Sequence, residues 1–240
     1  MIDFEYHAPT SLDQVFGLLE QYGDDCRIMA GGTALVIQMK QRLSQPSHVI
    51  GLRHVENLNS IESTPEGVRI GGLCTQRQIE NSILIGENLP LLTDTFRKVA
   101  TPRIRNMATI GGGLVNGDPN QDPPPSLIAL GGSAVITSKS GERTVPIEEL
   151  FIDYYETDVQ PGEVLTSVLV PKAPVGSGSA YLKFLPRTAD DYGTVSVASI
   201  VSKEQDDTCK DVRIVLGSAG VTPIRATQAE NSLRGKPLTD

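Results

Sequence analysis

The sequence has few residues with which to hold metal or cross-link itself. It contains 3 cysteines in 240 residues, and Cys26, Cys74 and Cys209 stand far apart. An odd, scattered set reads as reduced core thiols, not as a disulfide framework. No C-x-x-C pair occurs, and four closely spaced ligands for an iron–sulfur cluster are missing, so any cluster is expected on another polypeptide. The 3 histidines, His7, His48 and His54, share no metal-ligand spacing and read as surface or packing residues. No apolar run approaches the roughly 20 residues that span a bilayer. The first residues lack the basic, apolar and small-residue layout of a secretory signal, which makes the cytoplasm the expected compartment. Positive charge is short as well: a net charge of -8 argues against nucleic acid and anionic membrane surfaces as partners.

What the chain does have is length for a substantial core, in one large domain or two, and two glycine turns. The first, Ala30-Gly31-Gly32-Thr33, sits between a strand-like run (Arg27 to Ala30) and an amphipathic run (Ala34 to Leu43). The second, Thr109-Ile110-Gly111-Gly112-Gly113, joins a helix (Leu91 to Val99) to the proline-rich segment Asp118 to Pro125. A glycine turn entering a helix presents free N–H groups to an anion, and glycine lets backbone approach a ligand closely. Two such turns suit the two phosphates of a dinucleotide. Each is also an ordinary structural turn, and neither is a G-x-G-x-x-G or a Walker loop.

Around these turns the pattern alternates helix and strand. Thr10 or Ser11 caps a helix carrying Leu12, Val15, Phe16 and Leu19 on one face, and Gly23 ends it. A strand, the first glycine turn, a helix with Val36, Met39 and Leu43 inward, and a strand over Ser47 to Gly51 imply a parallel pair with a crossover. Beyond about residue 56 the character becomes antiparallel β with interposed helices. Val68 to Ile70 runs into a Gly71-Gly72 turn, and Thr75 caps a helix with Ile79, Ile83 and Leu84 on its apolar side. Pro90 opens another helix that buries Leu91, Leu92, Phe96 and Val99. Arg103 and Arg105 read as structural, with neutralisation of a pyrophosphate as the alternative. Further strands cover Ala134 to Thr137, Thr144 to Pro146 and Glu163 to Val170. Phe151, Tyr154 and Tyr155 read as core or loop packing, with ring stacking as the alternative. Pro174 to Ser179 is a small-residue linker, followed by strands over Ala180 to Leu185, Thr194 to Ser202 and Val212 to Gly217.

The run Ile28-Met29-Ala30-Gly31-Gly32-Thr33-Ala34-Leu35, with Met39 and Lys40, resembles the first flavin loop of the molybdenum hydroxylase flavoprotein subunits. The run from Arg105 to Gly112, with Asp118-Pro119 and Asp122-Pro123-Pro124, resembles their second flavin loop. Tyr181 to Phe184, Arg187 and Asp191-Tyr192 resemble the start of their C-terminal domain. The similarity follows in order along essentially the whole chain, within the xanthine dehydrogenase family and the carbon monoxide dehydrogenase medium-subunit type.

The resemblance implies an α+β fold. A FAD-binding domain of the PCMH (vanillyl-alcohol oxidase-like) type spans 1–175, in subdomains of about 1–55 and 56–175. A small antiparallel-sheet domain follows over 178–240. It implies FAD held by residues 28–35 and by Thr109, Ile110, Gly111, Gly112 and Gly113, mainly through main-chain amides. Asp122 becomes a hydrogen-bond acceptor for the flavin, a role compatible with capping the helix it precedes. Leu165 packs near the flavin, Lys183 approaches it from the second domain unless it is an exposed strand lysine, and Tyr192 lies against the ring. It further implies a molybdopterin-binding large subunit and a small subunit with two 2Fe-2S clusters. Electrons would pass through those clusters to FAD here and on to an external acceptor. The alternatives are a stand-alone flavin oxidoreductase and an assembly subunit without tight FAD. Three departures bear on the last: Ala34 replaces a common polar residue, Gly113 replaces an asparagine, and the C-terminal domain reads as shortened at Asp240.

Overall fold

The computed structural model describes residues 2–188 and 190–238. In the first unit β1 (Glu5–His7) leads into α1 (Leu12–Tyr22), β2 (Cys26–Met29), α2 (Leu35–Lys40) and β3 (His48–Gly51). The sheet order is β1-β3-β2, and both pairings are parallel. Strand β3 therefore lies in the middle, and the β2–α2–β3 crossover is the one the sequence implies. Ser11 is the cap of α1, its hydroxyl accepting from the Gln14 N–H at 3.3 Å. Gly23 ends that helix at φ +47°, a conformation glycine reaches without a Cβ clash. One expectation fails here. Helix α2 stops at Lys40, Arg42 turns the chain at φ +64°, and Leu43 swings out to 76 % exposure, so only Met39 of the three expected inward residues is fully buried.

The second unit begins with β4 (Ile61–Ser63) and β5 (Gly67–Gly71). Six helices follow: α3 (Gln76–Asn81), α4 (Ile83–Asn88), α5 (Pro90–Arg97), α6 (Pro102–Arg105), α7 (Ile110–Asn116) and α8 (Pro123–Ala129). Then come β6 (Ser133–Ser138), β7 (Gly141–Pro146), α9 (Ile147–Leu150), the small hairpin β8 (Phe151–Asp153) and β9 (Glu156–Thr157), and β10 (Val164–Pro171). The main sheet runs β4-β5-β10-β6-β7, antiparallel throughout. Thr75 and Gln78 form a full capping box on α3. The single helix expected after Thr75 is two: Ser82 is extended and caps α4. That break rotates Ile83 into solvent at 77 % exposure and buries Ile85 instead. The α5 stripe of Leu91, Leu92 and Phe96 is buried as its spacing predicts.

A third unit comprises β11 (Gly178–Phe184), β12 (Val195–Lys203), β13 (Cys209–Gly217), β14 (Ile224–Arg225) and α10 (Thr227–Leu233), in an antiparallel sheet of that strand order. Its Tyr181, Ala198, Ile200 and Val215 belong to the same apolar cluster as Leu127 of α8 and Phe96 of α5. The third sheet is thus packed onto the second unit through a shared core. All three cysteines are buried and free, as expected of core thiols.

Glu80 of α3 is buried and takes hydrogen bonds from Arg105 Nε at 2.9 Å and, as an ion pair, from Arg77 at 2.9 Å. Arg105 also donates to the carbonyls of Val99 (2.6 Å) and Ala100 (2.9 Å), so it is structural, as the sequence suggests. Burial alone would raise the Glu80 carboxyl, but the two guanidiniums outweigh it and hold it below its usual value. A carboxyl depressed on folding contributes stability above its unfolded value near 4.5 and loses it as pH falls through the folded value. Urea unfolding should therefore show a midpoint that drops on acidification below that point. Glu80→Gln should lower the midpoint at neutral pH and shrink the acid-dependent drop.

Candidate cofactor cleft

The two glycine segments meet. Glycine is required at the contact because main chain lies against main chain. A Cβ on Gly31 would sit 1.9 Å from the Met107 carbonyl oxygen, and one on Gly111 would sit 2.8 Å from the Gly72 carbonyl oxygen. A Cβ on Gly112 would come within 3.3 Å of the Ala30 Cβ. Gly32 adopts φ +73°, which turns the chain out of β2 and into α2.

The hydrogen-bonding roles of the segments differ. Among the described residues, the N–H groups of Gly31, Gly32, Thr33, Ala34 and Leu35 donate to no protein acceptor. Those of the second segment do: Ile110 to the Cys74 carbonyl (3.0 Å), Gly111 to Gly72 (2.9 Å) and Gly113 to Thr109 (3.0 Å). The Gly112 N–H donates to the Thr109 hydroxyl at 3.1 Å. The second segment is accordingly the first turn of α7, capped by Thr109, and not the open turn expected. Free main-chain donors come from one segment, while the other supplies closeness.

Both segments line a cleft of about 970 Å³, at the upper end of the roughly 300–1,000 Å³ usual for ligand pockets. Of the residues singled out in the sequence, Ile28, Met29, Ala30, Gly31, Gly32, Thr33, Ala34, Leu35, Gly111, Gly112, Gly113, Asp122, Leu165, Lys183 and Tyr192 all border it. Thr109 and Ile110 are buried behind its wall and do not. Gly72, a plain turn by sequence, and Gln76 and Gln121, which carry no motif, border the cleft as well. Among the described residues, Gln76 Oε1 and Gln121 Nε2 are buried without a hydrogen-bond partner. One orphaned acceptor and one orphaned donor on a cleft wall call for a polar ligand, since burying either unpaired is costly. Of the aromatic trio only Tyr155 reaches the cleft. Tyr154 packs edge-on against it at 4.8 Å, and Phe151 packs on the core.

Asp122 precedes α8 but makes no side-chain cap, so the capping role is not realised. Its carboxylate instead accepts from Tyr181 Oη at 2.6 Å and Lys183 Nζ at 2.9 Å. Lys183 also donates to the Lys98 carbonyl at 3.0 Å. Its side chain is only 2 % exposed, which rules out the exposed strand lysine. Burial pushes the Asp122 carboxyl up, against the pull of Tyr181 and Lys183. At the mouth, Tyr192 Oη donates to Asp118 Oδ2 at 2.9 Å. Burial and the Asp118 carboxylate push the Tyr155 phenol up to about 12, so it remains a donor at neutral pH.

Free amides beside glycines and unpaired amide side chains on the wall of one cleft suit a nucleotide cofactor of the kind flavoproteins hold. Residues 2–173 match the family of the FAD binding domain in molybdopterin dehydrogenase, and residues 180–240 match the CO dehydrogenase flavoprotein C-terminal domain. The chain belongs to this family, as an FAD-binding subunit of the carbon monoxide dehydrogenase medium-chain type. It is 36 % identical to the carbon monoxide dehydrogenase medium chain of Afipia carboxidovorans, over 98 % of this chain and 81 % of that one. It is also 36 % identical to subunit alpha of the 6-hydroxypseudooxynicotine dehydrogenase complex of Paenarthrobacter nicotinovorans, over 98 % and 79 %. The fold matches a solved carbon monoxide dehydrogenase from Hydrogenophaga pseudoflava with a TM-score of 0.95 at 36 % identity, covering 100 % of this chain and 84 % of that one.

Removing one partner of the Asp122–Lys183 pair leaves a buried charge uncompensated. Asp122→Ala should cost about 3–5 kcal/mol in urea-unfolding experiments, with an exposed lysine-to-alanine change such as Lys210→Ala as the near-neutral control.

Proposed function

We propose that this chain binds FAD in the cleft and serves as the electron-delivering flavoprotein subunit of a molybdenum-containing dehydrogenase. The observation that carries the reading is the set of five N–H groups over Gly31 to Leu35, unengaged among the described residues, on the wall of a cleft of dinucleotide size. Consecutive unengaged main-chain donors suit a diphosphate, whose oxygens accept charge-assisted hydrogen bonds. Bound FAD supplies exchange between one-electron and two-electron carriers.

The residues of this chain would bind and orient it. Gly31 to Leu35 hold phosphate oxygens through N–H groups, which makes the missing side chain at Ala34 a small loss. Gly111 to Gly113 keep the wall low enough for close approach. Leu165 offers an apolar face. The amides of Gln76 and Gln121 are available to polar ring edges. Asp122 and Lys183 fix the third unit against the cleft, and Tyr192, tethered to Asp118, stands at its mouth. A molybdopterin-binding large subunit and a small subunit with two 2Fe-2S clusters complete the relay, in a heterotrimer. The proposed division is a FAD-binding domain over 1–175 and a C-terminal domain over 178–240. Among the described residues no helix is long and apolar enough to cross a membrane, and the cytoplasm is the compartment proposed.

The purified complex should show flavin absorbance together with iron–sulfur bands. Gly31→Ala drives a methyl into the Met107 carbonyl and should abolish stoichiometric flavin while the chain stays folded by circular dichroism. A wild-type chain that neither retains nor rebinds FAD would sink the proposal. Tyr192→Ala should change the rate at which the reduced complex is reoxidised while leaving flavin content near wild type. An unchanged rate would remove Tyr192 from the path of the acceptor.

A further inference from the structure

His7 and His48 share no ligand spacing along the chain, but the parallel pairing of β1 with β3 brings them together. Glu5 pairs with His48 in register and His7 with Ile50, so Glu5, His7 and His48 share one face of the sheet. His7 Nε2 lies 3.1 Å from His48 Nδ1, and Glu5 Oε2 lies 3.6 Å from the same nitrogen. All three potential ligand atoms fall within 4.8 Å of one another.

These separations have the scale of a coordination sphere. Tetrahedral Zn²⁺ with bonds of about 2.0–2.1 Å has ligand–ligand edges of about 3.3–3.4 Å, between the two distances found. The rings are also held in place. Tyr22 of α1 stacks on His48 at 3.7 Å between centroids and 20° between planes, and on His7 at 5.1 Å. Stacking orients both imidazoles before any ion arrives, which lowers the ordering cost of binding. The Glu5 side chain is 65 % exposed, leaving an entry path and a free position for water. Two imidazoles with one carboxylate suit a borderline transition ion and not Ca²⁺ or Mg²⁺, which prefer all-oxygen shells.

We propose that Glu5, His7 and His48 form a three-ligand site for a divalent transition ion, Zn²⁺ by its ligand chemistry, outside the flavin cleft. Its effect is to pin β1 to the central strand of the first sheet. The competing account is a hydrogen bond between the two histidines and nothing more.

Titration of the full chain, stripped of metal by chelator, with ZnSO₄ in a calorimeter separates the two. One Zn²⁺ should bind per chain, and saturating Zn²⁺ should raise the Tm. His48→Ala and His7→Ala should each weaken binding by at least about 100-fold, since loss of an outer-shell partner alone costs roughly 10–100-fold. FAD content should stay at the wild-type level in both, which separates this site from the cleft. Glu5→Gln, at an exposed position, covers the case in which a histidine variant fails to fold and should weaken binding by about tenfold or more. Absence of saturable Zn²⁺ binding, or binding unchanged by Glu5→Gln, overturns the proposal.

Discussion

The cleft depends on close backbone approaches that a Cβ on the glycines would block. Gly31 lies against the carbonyl of Met107, Gly111 against that of Gly72, and Gly112 against the Cβ of Ala30. The Gly31–Met107 and Gly112–Ala30 contacts join the β2–α2 turn of a parallel unit to the approach and first turn of α7 in an antiparallel one, and the Gly111–Gly72 contact seats α7 within its own unit. A side chain at Gly31 would force the two segments apart, because its Cβ would sit 1.9 Å from the Met107 carbonyl oxygen and the neighbour in the way is backbone. The cleft exists because that seam is tight.

The seam divides labour between the two segments. Thr109 caps α7, and the carbonyls of Cys74 and Gly72 take the next two amides, which makes that segment a rigid floor. Among the described residues the amides of the Gly31 to Leu35 turn meet no protein acceptor, which makes that turn the donor surface. A ligand meeting both therefore encounters hydrogen-bonding capacity on one side and bare backbone on the other. Asymmetry of that kind orients an extended anion without any charged side chain in the turn.

The third unit closes the arrangement through one buried knot. Asp122 stands at the head of α8, and both its partners, Tyr181 and Lys183, come from β11. A carboxylate so placed couples the docking of the C-terminal sheet to the wall of the cleft. The shared apolar cluster supplies area; the knot supplies register, since only one alignment of β11 satisfies both carboxylate oxygens.

Local chemistry along the chain determined the Ser11 cap and Gly23 stop of α1, the Thr75 capping box, the buried stripe of α5, the parallel crossover and the membership of the family. Those features depend on neighbours a few residues away, or on motifs read in order. Leu43, Ile83 and the helical state of Gly111 to Gly113 escaped, because single backbone turns at Arg42 and Ser82 and a threonine cap decide them. Gln76 and Gln121 escaped too: an unpaired amide is visible only when its surroundings are known. Pairings across long separations were likewise decided by tertiary structure alone. Asp122 with Lys183 and His7 with His48 lie in different elements, and no periodicity in either segment encodes which distant strand will lie beside it. Residue type sets what a side chain is able to do; the packing of one sheet on another sets which partner it meets.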